Sequence, residues 1–310
     1  MRETSRLAPV LRAVGMICIV FLAALFTTGR AQAADAAPGT DTPLVIVYPR
    51  YSDDGEDTRS LYPLGLLRLA LDKMGVRYEL RPSERVMGHS RAIAALRAGA
   101  EVNIVWTGTT AEMERELNPI RMPLTRGLLG HRLFIIRKAD QDRFSAVRTL
   151  EDLRRLTAVQ GMGWPDVDIM RAAGLPVEAL RYDLLYSVLQ HGRVDYLPRS
   201  AFEIYGELAS RQAAFPDLTV EKSLVLVYPF DMYFFTRKED SALARIVERG
   251  LLQAYQDGSF LKYFNNAPFI RQLMANADLE GRRRIVIPNP LQSPETAALP
   301  SNYWLGGQPP

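Results

Sequence analysis

The chain reads as an α/β protein of two lobes, each a mostly parallel sheet flanked by helices. Three observations predict this. From Pro43 to Trp106, apolar runs of strand length alternate with segments of helical period. After Asn118 a run with two prolines and two glycines breaks the pattern, and the alternation then restarts. Finally, the long extended stretch Leu224 to Lys238 can carry the chain back to where it began.

The N-terminus stands apart from this pattern. Arg2, Arg6 and Arg12 precede the apolar run Met16 to Phe26, and Ala31-Gln32-Ala33 places small residues where a signal peptidase reads. Residues 1–33 are therefore expected to be a signal peptide cleaved after Ala33. The apolar run falls short of the ~20 residues a membrane span needs. Cys18, the only cysteine, lies inside that run, so the mature chain should hold neither a disulfide nor a lipid-modified cysteine. Stability must then come from a sizeable core, which 310 residues can build. A formal net charge of +3, with both signs interspersed, makes no nucleic-acid groove. A monomer is expected, with no cofactor and no metal.

In the first lobe, Pro43 to Pro49 reads as a strand covered on both faces. The loop that follows carries Asp53, Asp54, Glu56 and Asp57, but their spacing is not that of a calcium loop. Leu64, Leu67, Leu71 and Met74 mark a helix stopped by Gly75, and Val76 to Leu80 a second strand. Met87 to Ala98 is a helix capped by Gly99, and Val102 to Trp106 a third strand. In such right-handed units ligands gather beyond the carboxyl ends of the strands, which is where Tyr51, His89 and the turn Thr107 to Thr110 should lie.

In the second lobe the pattern predicts a strand at Leu133 to Ile136, a short helix at Thr149 to Arg155 and a strand at Thr157 to Gln160. The turn Gly161-Met162-Gly163-Trp164-Pro165 leads to a helix near Asp166 to Ala173. A helix from Asp183 to Gln190, capped by Gly192, and a strand at Val194 to Leu197 follow, with a further helix starting at Pro198. Ser241 to Tyr255 is amphipathic, with Leu243, Val247, Leu251 and Tyr255 on one face. The expected boundaries are 34–127 for the first lobe, 128–227 for the second and 228–275 for the return. The proline-rich tail, 276–310, holds enough apolar residues to dock on the first lobe; the alternative is a disordered tail.

Chemistry concentrates at Val102 to Arg115, where a buried strand ends on Thr107 to Thr110 and feeds into a helix. Backbone N–H groups at such a junction suit an anion, and Arg115, five positions after Thr110, can reach back to grip a carboxylate. The same arginine, flanked by Glu112, Glu114 and Glu116, also reads as a solvated residue on an exposed face.

Three stretches together resemble bacterial periplasmic solute-binding proteins of the type II, amino-acid-binding-like group: Ala95 to Arg115, Leu184 to Ser200 and Arg237 to Phe264. The resemblance spans roughly Pro43 to Phe264. It implies two lobes joined by two crossing strands, a ligand trapped between them, and delivery from the periplasm to an inner-membrane ABC permease or a membrane sensor. It also implies that Thr110 and Arg115 clamp the ligand's acid. The acid that would hold a ligand amine is replaced, since its place falls on Ser200 with Arg199 before it. Arg199 should then favour a second anionic group, unless Glu203 restores an acid one turn later. The family's stacking aromatic is displaced too: His89 takes its place, and Tyr51, Trp106 and Trp164 are candidate substitutes, each equally readable as packing. Gly163 belongs to the turn that offers backbone N–H groups from the second lobe.

The expected function is capture of a small polar, anionic organic solute for an ABC importer, with hinge motion near Leu124 to Leu129 and Val225 to Phe230. The alternative is a sensory or interaction module of the same fold, signalling to a membrane kinase or cyclase. An enzyme is not expected: no G-x-S-x-G elbow is present, and His89, His131 and His191 lack metal-ligand spacing.

Overall fold

The computed structural model describes residues 42–52 and 58–307. The expected signal peptide and the acidic loop at Asp53 to Asp57 lie outside the described residues.

The chain begins with β1 (Leu44–Arg50), α1 (Thr58–Lys73), β2 (Tyr78–Val86), α2 (His89–Ala98), β3 (Val105–Gly108), α3 (Ala111–Glu116) and β4 (Asn118–Ile120). β1 and β2 pair in parallel, with Leu44 opposite Tyr78. Leu64, Leu67 and Leu71 of α1 are buried, as their spacing requires. β3 starts later than its apolar run because Asn103 intervenes. Its side chain takes the Val47 N–H at 2.8 Å and gives to the Val45 carbonyl at 3.0 Å, so this stretch joins β1 through an amide side chain.

The second lobe holds β5 (His131–Arg137), α4 (Gln141–Ser145), α5 (Leu150–Leu153), β6 (Ala158–Gly161), α6 (Pro165–Ala172) and β7 (Val177–Leu180). It continues with α7 (Leu185–Gln190), β8 (Leu197–Ser200), α8 (Ile204–Arg211) and β9 (Leu218–Val220). β6 and β7 are parallel, while β5 runs antiparallel to both β8 and β9. The strand expected at Val194 to Leu197 is displaced to Leu197–Ser200, and the helix expected from Pro198 starts at Ile204. Asp195 explains the shift: it accepts from the Thr157 N–H at 2.7 Å, which holds the apolar run ahead of the strand in a turn.

The chain returns through β10 (Leu224–Val227) and β11 (Met232–Thr236), then α9 (Ser241–Gln256), α10 (Ser259–Asn266) and α11 (Pro268–Asn276). β11 lies antiparallel between β3 and β4 in a three-stranded sheet distinct from the parallel β1–β2 pair. α9 packs on α1 so closely that a Cβ on Gly250 would stand 2.0 Å from the Ala70 carbonyl oxygen. The tail forms β12 (Arg283–Val286), parallel to β10, and α12 (Pro294–Ala297).

The two crossings meet where a Cβ on Gly130 would collide with the Tyr228 carbonyl oxygen, 2.1 Å away. Buried Asp231 staples them: one carboxylate oxygen accepts from the Thr125 N–H and hydroxyl at 3.0 and 2.9 Å and from the Met232 N–H at 2.6 Å, and the other from the Gly127 N–H. Burial pushes its pKa up to about 6 against the pull of those donors. Arg132 of β5 pairs with Asp166 of α6 at 2.6 Å, both buried, and lies over the rings of Tyr228 and Phe230. No helix among the described residues is long and apolar enough to cross a membrane.

Candidate functional site

A cleft of about 700 Å³ opens between the β3–α3 turn and the turn before α6. Thr110, Met113 and Arg115 line one side, Gly163, Trp164, Asp168 and Arg171 the other, and Pro290 and Leu291 of the tail border it as well.

On the first-lobe side, β3 ends at Gly108, where a Cβ would lie 2.3 Å from the Phe230 ring. Thr110 is the N-cap of α3, its hydroxyl accepting from the Met113 N–H at 3.2 Å. The Ala111 N–H is spent as well, donated to the Leu291 carbonyl at 2.7 Å. The backbone donors expected to converge on an anion here are thus partly consumed, by the cap and by the tail.

Glu114 points inward and is 5% exposed. Its carboxylate accepts from the hydroxyls of Thr109 (2.7 Å), Ser293 (2.8 Å) and Thr296 (2.8 Å) and from Arg121 Nε (3.0 Å). Glu116 pairs with Arg97. Arg115, on the exposed face between these two acids, has no hydrogen bond or ion pair to any of the described residues. Its guanidinium borders the cleft uncommitted.

On the second-lobe side, the Met162 and Trp164 N–H groups bond to Leu180 and Gly161 carbonyls, whereas the Gly163 N–H has no partner among the described residues. Gly163 has φ +79°, a left-handed turn conformation that glycine adopts without strain. The Trp164 indole packs over the Gly161 backbone, leaving no room for a Cβ there, and stacks on the Arg199 guanidinium at 4.5 Å.

Arg199 corrects an expectation. It was to favour a second anionic group on the ligand, but Nε and Nη2 are already engaged by acids of its own lobe. Nε and Nη2 bond the two Glu207 oxygens at 2.6 and 2.7 Å, and Nη2 also reaches Glu203 at 3.0 Å. Glu203 and Glu207 stand one and two turns beyond the strand residue, at the start of and inside α8, so they reach back to it. Desolvation would raise the Glu207 pKa, but Arg199 and two tyrosine hydroxyls hold it below the ordinary value. Glu203 goes the other way, raised by burial and by the neighbouring Glu207 charge against the pull of Arg199. Glu203 therefore neutralises Arg199 and does not line the cleft.

The remaining candidates lie away from the cleft. Ser200 is fully buried, its hydroxyl donating to the Leu128 carbonyl and accepting from the Phe202 N–H. Trp106 is core, set among Tyr48, Tyr51 and Phe234, and Tyr51 packs edge-on against it at 6.2 Å. His89 Nε2 lies 2.8 Å from the Thr107 hydroxyl, and desolvation lowers the ring's pKa.

Sequence reasoning missed Asp168 and Arg171, although Trp164, Asp168 and Arg171 fall on one face at helical spacing. It also missed Leu291, which has no local signal. Among the described residues no cluster of three or more His, Cys, Asp or Glu could hold a metal.

This geometry belongs to the two-lobed type II periplasmic-binding fold. Among solved structures, an ancestral arginine-binding protein bound to arginine is 16% identical, with a TM-score of 0.51 over 72% of this chain and 96% of that one. The GluR0 ligand-binding core from Nostoc punctiforme, in complex with L-glutamate, is 16% identical, with a TM-score of 0.50 over 72% and 98%. A histidine kinase sensor domain with similarity to periplasmic binding proteins is 16% identical, with a TM-score of 0.50 over 71% and 93%. At such identities the likeness is one of fold, and these neighbours are ligand-binding proteins and a sensor domain. No family model and no curated protein matches the sequence.

Proposed function

We propose that this chain is a periplasmic solute-binding protein that traps a small polar organic solute between its lobes and presents it to an inner-membrane ABC importer. The observation that carries this reading is the uncommitted Arg115 guanidinium on the cleft wall, facing a second lobe that contributes Trp164 and the free Gly163 N–H. A carboxylate on the solute would take Arg115 bidentately, and the second-lobe groups that line the same cleft would complete the site. With Arg199 neutralised, the solute needs one acidic group. Asp168 and Glu112 on the cleft wall would suit a cationic group beside it, and two of the neighbours are bound to arginine and to L-glutamate.

A sensory role in the same compartment is the second reading, favoured by the likeness to a kinase sensor domain. Both share the binding step. A thermal-shift screen with L-arginine, L-glutamate, L-glutamine, succinate and pyruvate tests it: a micromolar binder at millimolar concentration should add about 4 kcal/mol of stability. No shift with any of them would remove the support for a carboxylate-binding cleft.

A further inference from the structure

The tail does more than dock on one lobe. At its start Arg282 is buried and donates to the Glu221 and Leu224 carbonyls at 2.5 and 3.0 Å, and Arg283 donates to the Val147 carbonyl at 2.6 Å, so this end is fixed to the second lobe. β12 then runs beside β10, and Ile287 and Asn289 extend the pairing to the Val227 and Pro229 carbonyls. Beyond Asn289 the tail's hydrogen bonds to the other described residues go to the first lobe or the crossing. Leu291 takes the Ala111 N–H, Ser293 and Thr296 donate to Glu114, and Tyr233 donates to Thr296 at 3.1 Å. Leu299 packs on the apolar cluster around Met87 and Phe235, and Trp304 is 1% exposed. Arg126 of the first crossing donates to the Asn302 and Trp304 carbonyls, and its own carbonyl accepts from the Leu305 N–H at 2.7 Å.

We propose that residues 282–305 are a third crossing that locks the lobes together, with Glu114 as its latch. Two of the four donors on that buried carboxylate come from the tail, so lifting the tail strips Glu114 of two hydroxyl donors and leaves it Thr109 and Arg121. The lobes can part widely only if the tail peels from one of them. While it is seated, the Ala111 N–H is unavailable to a ligand, and Leu291 narrows the cleft. The lock is independent of which solute the cleft takes.

Pulsed electron-electron resonance between spin labels at Arg85→Cys on β2 and Arg193→Cys after α7, both exposed and in different lobes, reads the lock directly in full-length protein carrying Cys18→Ser. The expected result is one narrow distance in the otherwise unaltered chain, with or without L-glutamate, and a second, longer distance when Ser293→Ala and Thr296→Ala are added. Should the double variant not fold by circular dichroism, Asn289→Ala, which removes one bond to the Pro229 carbonyl, must show the longer distance as a smaller fraction. Two distances in the unaltered tail, or an unchanged trace in a folded variant, would overturn the lock.

Discussion

Arg115 lines the cleft, Arg199 lies buried behind the Trp164 ring on the other side, and the two meet opposite fates. Arg115 is exposed and uncommitted because the acids on either side of it are engaged elsewhere: Glu114 turns inward to the tail and Glu116 pairs with Arg97. Arg199 is 5% exposed and charge-paired because the segment that follows its strand returns two glutamates to it. A guanidinium is available to a ligand when the carboxylates within its reach have other partners. The count of neighbouring acids is similar in the two cases; their alternatives differ.

Breaking the charge-paired site should have the largest effect. Glu207→Ala leaves a buried cation with both of its best acceptors gone, which should cost about 3–5 kcal/mol of unfolding free energy in urea titrations. Next comes the ring that lies between Arg199 and the cleft. Trp164→Ala strips the stacking partner from Arg199 and should cost about 1–2 kcal/mol, while Trp164→Phe should recover part of it.

The pH dependence sharpens the contrast within the charge-paired site. The folded pKa of Glu203 is raised, so its contribution is fully present below the unfolded value and is lost as pH rises through the folded one. Glu203→Gln should therefore be more stable than the parent at pH 7 by less than about 1 kcal/mol, since the side chain is partly solvated, and the two should converge on acidification. Glu207, with its pKa lowered, contributes in the opposite sense, losing its share as pH falls. A parent more stable than the glutamine variant at pH 7 would contradict this assignment. The smallest stability effect belongs to Arg115→Ala, within about 0.5 kcal/mol of the parent, because nothing in the fold depends on it.

The alternation of strand and helix was legible because periodicity reports burial, and burial of Leu64, Leu67 and Leu71 or of Leu243, Val247 and Leu251 is a local property of each helix. The turn Thr107 to Thr110 leading into a helix was legible from its hydroxyls and glycine, and Thr110 caps that helix. What the sequence hid was pairing between distant residues. Glu203 was visible one turn from Arg199, but not that Glu207 would take the same guanidinium, and nothing near Glu114 announces Ser293 and Thr296. The strand at Leu197–Ser200 was misplaced because Asp195 finds Thr157, a contact that local propensity does not contain. The apolar content of the tail signalled docking, but its register on β10 is set by the partner strand.

The most direct test of the central contrast is isothermal titration of the strongest thermal-shift ligand from the screen into the parent, Arg115→Ala and Glu207→Ala. A charge-assisted pair with a carboxylate contributes about 1.5–3 kcal/mol, so Arg115→Ala should weaken binding by about tenfold to a hundredfold at an unchanged melting temperature. Glu207→Ala should lower the melting temperature sharply while its folded fraction binds within a few-fold of the parent. Undiminished affinity in Arg115→Ala would contradict the account.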